Sequence, residues 1–400
     1  MRFLYHHRTQ AEDGQAVHIR SLQRALRTLG HRVEEVGLVG QGESDGVEAG
    51  GGEAQIARQR SRWSWVGRLP RWMRELAEYA YSSPARSRIV TAGRALLPDV
   101  IYERYAFGNT AGIGAARVLG CPLFLEVNSP MVLELTQTRG LAFPRLARRT
   151  EDWIFTHADR VLPVTGVLRD MLIEYGVAPE RITVVPNGVD IAAYAEPGDP
   201  VARATAREAL GLAPDERGPV LGFVGYYRPW HRLDLAIDAL LEPGLEDAEL
   251  VLIGDGPAHA ELVACAEQRG VRARTHFVGR RPHGAIPRLL PAFDVALVPA
   301  INAYASPLKL HEYMAAGLAT VAPDQPNLRE VLEHGTNAWL VPPGDSDAFA
   351  AAVVALARDR ERATRLGRAA RAHVLAADLS WAGNARRVVE LARAARAQRG

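Results

Sequence analysis

Short apolar runs recur through the second half of the chain, at 220–226 (VLGFVGY), 250–254 (LVLIG), 276–279 (HFVG), 295–299 (VALVP), 319–322 (ATVA) and 338–341 (AWLV). Each is bounded by Gly, Pro or charged residues, as buried strands are. Between them, apolar residues recur every three or four positions over 233–241, 258–269, 307–316 and 346–359, which predicts helices. Strands alternating with helices predict an α/β fold whose parallel sheet is covered on both faces. The first half repeats the theme less regularly, with strands predicted at 2–6, 99–103, 122–127, 160–164 and 182–186, and helices near 15–29, 109–119, 143–157 and 166–175. Two Rossmann-like domains are therefore expected, 1–195 and 218–379. Residues 196–217, rich in Pro, Gly and charge, are read as the linker, and 380–398 as a tail helix opened by Ser380-Trp381. The Gly-rich, acidic stretch 40–53 reads as a surface loop.

Composition narrows the possible functions. Four hundred residues suit two domains, and 48 basic against 46 acidic side chains leave a net charge of +2, which argues against a nucleic-acid partner. Cys121 and Cys265 are far apart and form no C-x-x-C, so neither a disulfide framework nor a cysteine-rich zinc site is expected. No apolar run approaches the roughly 18 residues of a membrane span, and the apolar stretch after Met1 is too short for a signal peptide. A cytoplasmic location is the expectation. Lys309 is the sole lysine in a chain that otherwise uses arginine. A compact ammonium and a planar guanidinium are not interchangeable, so this position is a candidate for a role that Arg does not fill.

The stretch 304–324 (YASPLKLHEYMAAGLATVAPD) carries the most chemistry. Ser306 suits an N-cap, Pro307 the first helical position, and Gly317 the C-terminal stop. Lys309 then stands in the first turn, where a cation opposes the helix dipole unless an anion sits at the helix start. Glu312, three residues on, shares its face and suits ribose hydroxyls better than phosphate. Phosphate, cation and diol acceptor together point to a nucleotide; a surface Lys–Glu pair is the competing reading. Upstream, the strand ending at Gly225 leads into a loop bearing Arg228, His231 and Arg232, at the carboxyl edge where open α/β sheets bind ligands. Solvated loop arginines are the alternative there.

In order along the chain, VVPNGVD (184–190), GFVGYYRPWHRLD (222–234), LVLIGDGP (250–257), HFVGRRPHGAIPRLLPAFDVALVP (276–299), SPLKLHEYMAAG (306–317) and NLREVLEHGTNAWLVPPGD (327–345) resemble the group-one, family-four glycosyltransferases of the GT-B fold. DGQAVHIRSLQRALRTLGHRV (13–33) resembles the family's glycine loop and first helix. The resemblance implies two facing Rossmann-like domains, the acceptor held by the first and the donor by the second. It also implies a tail helix that crosses back to complete the first domain. The implied reaction moves a sugar from a nucleoside-diphosphate sugar to an acceptor hydroxyl with retention, requiring no metal or other cofactor. Lys309 and the Arg228–Arg232 loop would neutralise the diphosphate, and the backbone at Ser306, Pro307 and Leu308 would cap it. Glu312 would bind the ribose, Gly14 and Gly225 would let the backbone approach, and Arg280 and Arg281 would frame the base. His7, Glu103, Arg104, Glu126 and Asn128 are the acceptor-side candidates; Lys309, Arg228 and Asn128 are the catalytic ones.

The chain departs from the family pattern at four positions. Tyr304 replaces the first of two acids spaced eight apart, Tyr226 the usual Arg after the strand glycine, and His231 the usual loop Lys. Asn128 replaces a His near the reacting centre. With no titratable base there, the leaving diphosphate would itself take the acceptor's proton, and the protein would supply charge stabilisation and orientation. A nucleotide-sugar epimerase or a pseudo-glycosyltransferase on the same fold is the alternative. A nicotinamide-dependent oxidoreductase is disfavoured, because no G-x-G-x-x-G opens either half.

Asp345-Ser346-Asp347 imitates a metal-binding D-x-D but precedes a helix, where Asp caps. His6, His7 and His18 lack a further ligand at metal spacing. Residues 58–76 place six arginines among three tryptophans. That mixture suits peripheral contact with an anionic membrane at its inner face. The alternative is a helix packing Trp63, Trp65, Trp72 and Leu76 against the first domain.

Overall fold

The computed structural model describes residues 1–9, 14–37, 70–213 and 218–398. It divides into two compact units, Met1–Val185 with Ala385–Gly400, and Pro186–Asn384. The first holds a parallel sheet of β1 (Arg2–His6), β2 (Arg32–Val36), β3 (Val100–Arg104), β4 (Leu123–Val127) and β5 (Arg160–Pro163), in spatial order β2-β1-β3-β4-β5. The second holds β6 (Val220–Val224), β7 (Glu249–Ile253), β8 (Thr275–Gly279), β9 (Val295–Leu297), β10 (Ala319–Pro323) and β11 (Trp339–Val341), in order β11-β10-β9-β6-β7-β8 and also parallel. Every residue of β3, β4 and β6 is buried, as a sheet covered on both faces requires. Strand order reverses between β1 and β3 in the first sheet, and between β6 and β9 in the second. The crevice outside the carboxyl ends of such strands is where open α/β sheets take ligands.

Several expectations shift. β2 forms where only the first helix's surroundings had been read, and the expected strand at 182–186 is reduced to one bridge, Val161 to Ile182. The stretch read as a linker belongs to the second unit, and the division falls earlier, at Val185/Pro186. Its Asp-Pro signal starts a helix, Pro200–Ala209, whose first amides bond to Asp199 and whose Arg203 pairs with Asp294 at 3.0 Å. The VVPNGVD stretch has a packing role. Gly188 lies so close to the Ser380–Trp381 backbone that a Cβ would stand 2.7 Å from the Trp381 nitrogen. Asn384 donates to the Pro186 carbonyl at 2.6 Å. The helix Trp381–Ala397 starts there and from Ala385 onward belongs to the first unit. The 40–53 loop, residues 58–69 and the 10–13 loop before Gly14 lie outside the described residues. Among the described residues, no helix is long and apolar enough to cross a membrane.

Candidate functional site

The carboxyl edge of the second sheet is built around Lys309. β6 ends at Val224, whose amide donates to the Tyr313 hydroxyl at 2.7 Å, locking the strand to the helix Leu308–Ala315. Gly225 follows with φ +146°, a conformation that a side chain would strain, and a Cβ there would stand 3.1 Å from Lys309 Nζ. The ammonium lies over the Phe223 ring, 4.0 Å from its centroid. Nζ is shielded from water and has no hydrogen-bond partner. Burial pulls its pKa down to about 7, against the opposing pull of Glu312. A buried ammonium without a counter-ion is costly unless a ligand anion supplies one.

The helix start beside it is open as well. Helix geometry begins at Leu308, with Pro307 as N-cap and no side-chain cap. The expected cap, Ser306, does not act as one; its carbonyl instead accepts from Asn187 Nδ2 at 2.5 Å. Glu312 does not pair with Lys309 either. Its Oε1 lies 2.6 Å from His283 Nε2, a partner in the loop after β8 that the sequence reading missed. Arg280 and Arg281 stand exposed in that same loop.

The 228–232 loop divides its labour in a way that spacing did not reveal. Arg228 is exposed and held between two rings, 4.6 Å from the Tyr226 centroid and 5.1 Å from that of Trp230. His231 is buried, and burial together with the Lys309 charge pushes its pKa down to about 3. It therefore contributes no positive charge at neutral pH, although its Nδ1 is unpartnered. Arg232, expected as a diphosphate ligand, instead forms a two-pronged pair with Asp234, at 2.8 and 3.0 Å. It adopts φ +49°, the left-handed region that costs a non-glycine residue free energy. Of the cations around Gly225, Lys309 and Arg228 thus remain without an acid bonded to them, whereas Arg232 is paired. Tyr304, at the place of the family's first acid, is buried and accepts from Asn302 Nδ2 at 3.1 Å.

The acceptor-side candidates of the first unit behave differently. Glu126, at the end of β4, is 2% exposed and surrounded by donors. Arg104 Nη1 and Asn128 Nδ2 donate to its Oε1, each at 2.5 Å, and Tyr102 donates to Oε2 at 2.9 Å. His18 Nε2 lies 3.0 Å from the same Oε2. Burial alone would raise this carboxyl's pKa, but the charges of His18 and Arg104 and the hydrogen bonds from His18 and Asn128 hold it far below the usual range. Glu126 and Arg104 are thus bound to each other in the interior rather than open to a ligand. Glu103 is equally enclosed, accepting from Asn109 at 2.5 Å with His6 Nδ1 at 3.5 Å. His7 is buried, with Nε2 3.0 Å from Glu35 and Nδ1 accepting from the Thr9 amide at 3.2 Å. Of the five acceptor-side candidates, Asn128 alone is part-exposed. Gly14 is the first residue of the helix Gly14–Thr28, which supplies His18 to Glu126.

Asp345 caps the helix Ser346–Arg358, accepting from the Ala348 amide at 2.9 Å. Among the described residues, no three His, Cys, Asp or Glu side chains group as metal ligands would.

Two parallel Rossmann-like sheets, each with a point where strand order reverses, define an α/β protein of the GT-B class. The comparisons agree. Residues 13–193 match the model of glycosyltransferase family 4, and residues 206–373 that of the group 1 glycosyl transferases. The chain belongs to these group 1, family 4 glycosyltransferases. It is similar to the D-inositol 3-phosphate glycosyltransferase of Nocardia farcinica, 34% identical over 60% of this chain and 53% of that protein, so it spans about half the length of that relative. The 2-deoxystreptamine glucosyltransferase of Streptomyces kanamyceticus is 29% identical over 82% of this chain and 85% of its own. The fold matches that of Anabaena HepE, solved with UDP, at a TM-score of 0.74 over 98% of this chain and all of that one, at 19% identity.

Proposed function

We propose that this glycosyltransferase moves a hexose-type sugar from a nucleoside-diphosphate sugar to an acceptor hydroxyl with retention of anomeric configuration. The observation that carries this reading is the buried, unpartnered ammonium of Lys309 beside Gly225 and an uncapped helix start. A diphosphate seated there meets Lys309 and the Leu308 and Lys309 amides, and Arg228 reaches it from the Tyr226–Trp230 loop. These groups stabilise the charge that grows on the leaving diphosphate as the glycosidic bond breaks. The leaving oxygen takes the acceptor's proton on the same face of the sugar, which makes a protein base unnecessary. Glu312, oriented by His283, accepts from ribose hydroxyls, and the loop of Arg280 and Arg281 frames the base. In the first unit, Asn128 is the side chain placed to meet the acceptor, oriented by its bond to Glu126. The chain supplies the diphosphate's counter-charge from its own residues, so no metal is required. A small cyclic polyol such as an aminocyclitol or an inositol phosphate fits the names of the similar enzymes as an acceptor class.

The test is calorimetric titration with UDP, GDP, ADP and dTDP, with and without magnesium, on the unaltered protein and on Lys309→Ala. Saturable binding of one of them, indifferent to magnesium and weakened by the substitution, is expected. Binding unchanged by Lys309→Ala for every nucleotide that binds would overturn the phosphate assignment. Product anomers resolved by NMR then test retention.

A further inference from the structure

The Arg- and Trp-rich segment left two readings open, and the described part of it, 70–76, favours one. The helix Arg71–Ala80 sends Glu75 inward, where its carboxylate accepts from the Ala142 amide at 2.6 Å and the Phe143 amide at 3.2 Å. Glu78 bonds Arg139 at 2.7 Å. The opposite face is not packed: Trp72 is 51% exposed and Leu76 43%, with Met73 exposed between them. Leu76 lies four residues after Trp72 and three after Met73, so it neighbours both on the helix surface. The adjoining segment, to which Glu75 anchors the helix, exposes Phe143 and Leu146 as well. An aromatic and aliphatic cluster of this kind marks an interaction surface.

Its charges point to one partner. Arg71, Arg145 and Arg149 are exposed around the cluster. The acids of the same elements are withdrawn: Glu75 and Glu151 are buried, Glu78 is bonded to Arg139, and Asp152 pairs with Arg148 at 3.0 Å. Apolar side chains rimmed by uncompensated arginines match the interface of an anionic bilayer, where Trp sits at headgroup level and basic residues are drawn to the negative surface. We infer that the face formed by Trp72, Met73, Leu76, Phe143 and Leu146 docks the first unit peripherally on an anionic membrane. The inference rests on this surface alone and is independent of the donor chemistry.

The full chain is sedimented with phosphatidylcholine vesicles and with vesicles containing phosphatidylglycerol. Binding to the anionic vesicles alone, weakened by salt, is expected. Trp72→Ser with Leu76→Ser should weaken it by about tenfold or more, the scale of two apolar side chains left in water. Arg145→Gln with Arg149→Gln should weaken it several-fold and provides the test if the first pair misfolds by circular dichroism. No binding to anionic vesicles, equal binding to both kinds, or binding untouched by either variant would overturn the inference. So would a concentration-dependent dimer abolished by Trp72→Ser in a chain that ignores vesicles.

Discussion

The carboxyl edges of the two sheets are built from similar residue types and have opposite electrostatic states. At the first edge the charged groups are bonded within the protein, Glu126 by Arg104, His18 and Asn128, His7 by Glu35, and Glu103 Oε1 by Asn109, although Glu103 Oε2 and both ring nitrogens of His6 have no hydrogen-bond partner. At the second, Lys309 Nζ and His231 Nδ1 are buried without partners, and the helix beside them lacks a side-chain cap. Buried polar groups are normally satisfied, and Lys309 differs from the unpartnered atoms of the first edge in being a cation with no acid bonded to it, which is why the anion site is proposed there. A strand-end position after β1, β3 or β4 therefore does not suffice to make a charged residue a ligand. What distinguishes the two edges is which charges remain unanswered.

Glu126→Gln should have the largest effect, and on stability. It leaves Arg104 and His18 buried without their counter-charge, a loss of about 3–5 kcal/mol by denaturant unfolding. Because the folded carboxyl titrates below its unfolded value, its contribution is complete above about pH 5 and fades as pH falls below that. The variant should therefore lose the unaltered protein's acid sensitivity over that range. Full stability with lost transfer would instead make Glu126 a substrate ligand.

Lys309→Ala should weaken nucleoside diphosphate binding by about 1–3 kcal/mol, the scale of charge-assisted hydrogen bonds, with little change in the thermal midpoint of the free protein. Lys309→Arg should restore little, since the fork does not fit over Phe223 beside Gly225.

Proton linkage examines the same group from another side. The ammonium of the free protein titrates near pH 7, and a bound diphosphate favours its charged form. Below pH 7 nucleotide binding should draw no proton through Lys309. Above it, uptake should approach one proton per nucleotide, and affinity should fall as pH rises. Calorimetry in buffers of different ionisation enthalpy reads this directly, and Lys309→Ala should abolish the uptake.

Smallest of all is the contrast between neighbouring arginines. Arg228→Ala should weaken nucleotide binding by about 1 kcal/mol. Arg232→Gly should leave it unchanged and stabilise the fold by up to about 1 kcal/mol, because glycine accepts the positive φ freely. Equal losses from both would show that Arg232 leaves Asp234 to meet the diphosphate.

Periodicity carried the second unit far. All six of its strands and the helices around its site were legible, because fully buried parallel strands are short unbroken apolar runs and each helix is bounded by strong stop signals. In the first unit, β2 (RVEEV) is half charged and hid from a search for apolar runs. The Asp199-Pro200 pair was read as a break, although the same two residues start helices. In the site, the strand end at Gly225 and the short helix carrying Lys309 were legible from residue type and spacing, but its start was not, since Ser306 was expected to cap it and does not. His283, Phe223 and Tyr313 were not legible, since they come from elements 29, 86 and 89 residues away from their partners Glu312, Lys309 and Val224 respectively.

Local chemistry along the chain thus settled the two-sheet α/β architecture, the strand edge at Gly225 and the one lysine that faces it, because backbone conformation and burial period are written in neighbouring residues. The tertiary structure alone decided which charges are cancelled. Arg104 read from sequence as an acceptor contact or a structural ion pair and Arg232 as a diphosphate ligand beside Lys309, yet folding brings Glu126 to the one and lets Asp234 turn back on the other, while no carboxylate hydrogen-bonds Lys309. Electrostatic compensation depends on distances of a few ångströms between residues far apart in the chain, and only the packed fold sets those distances.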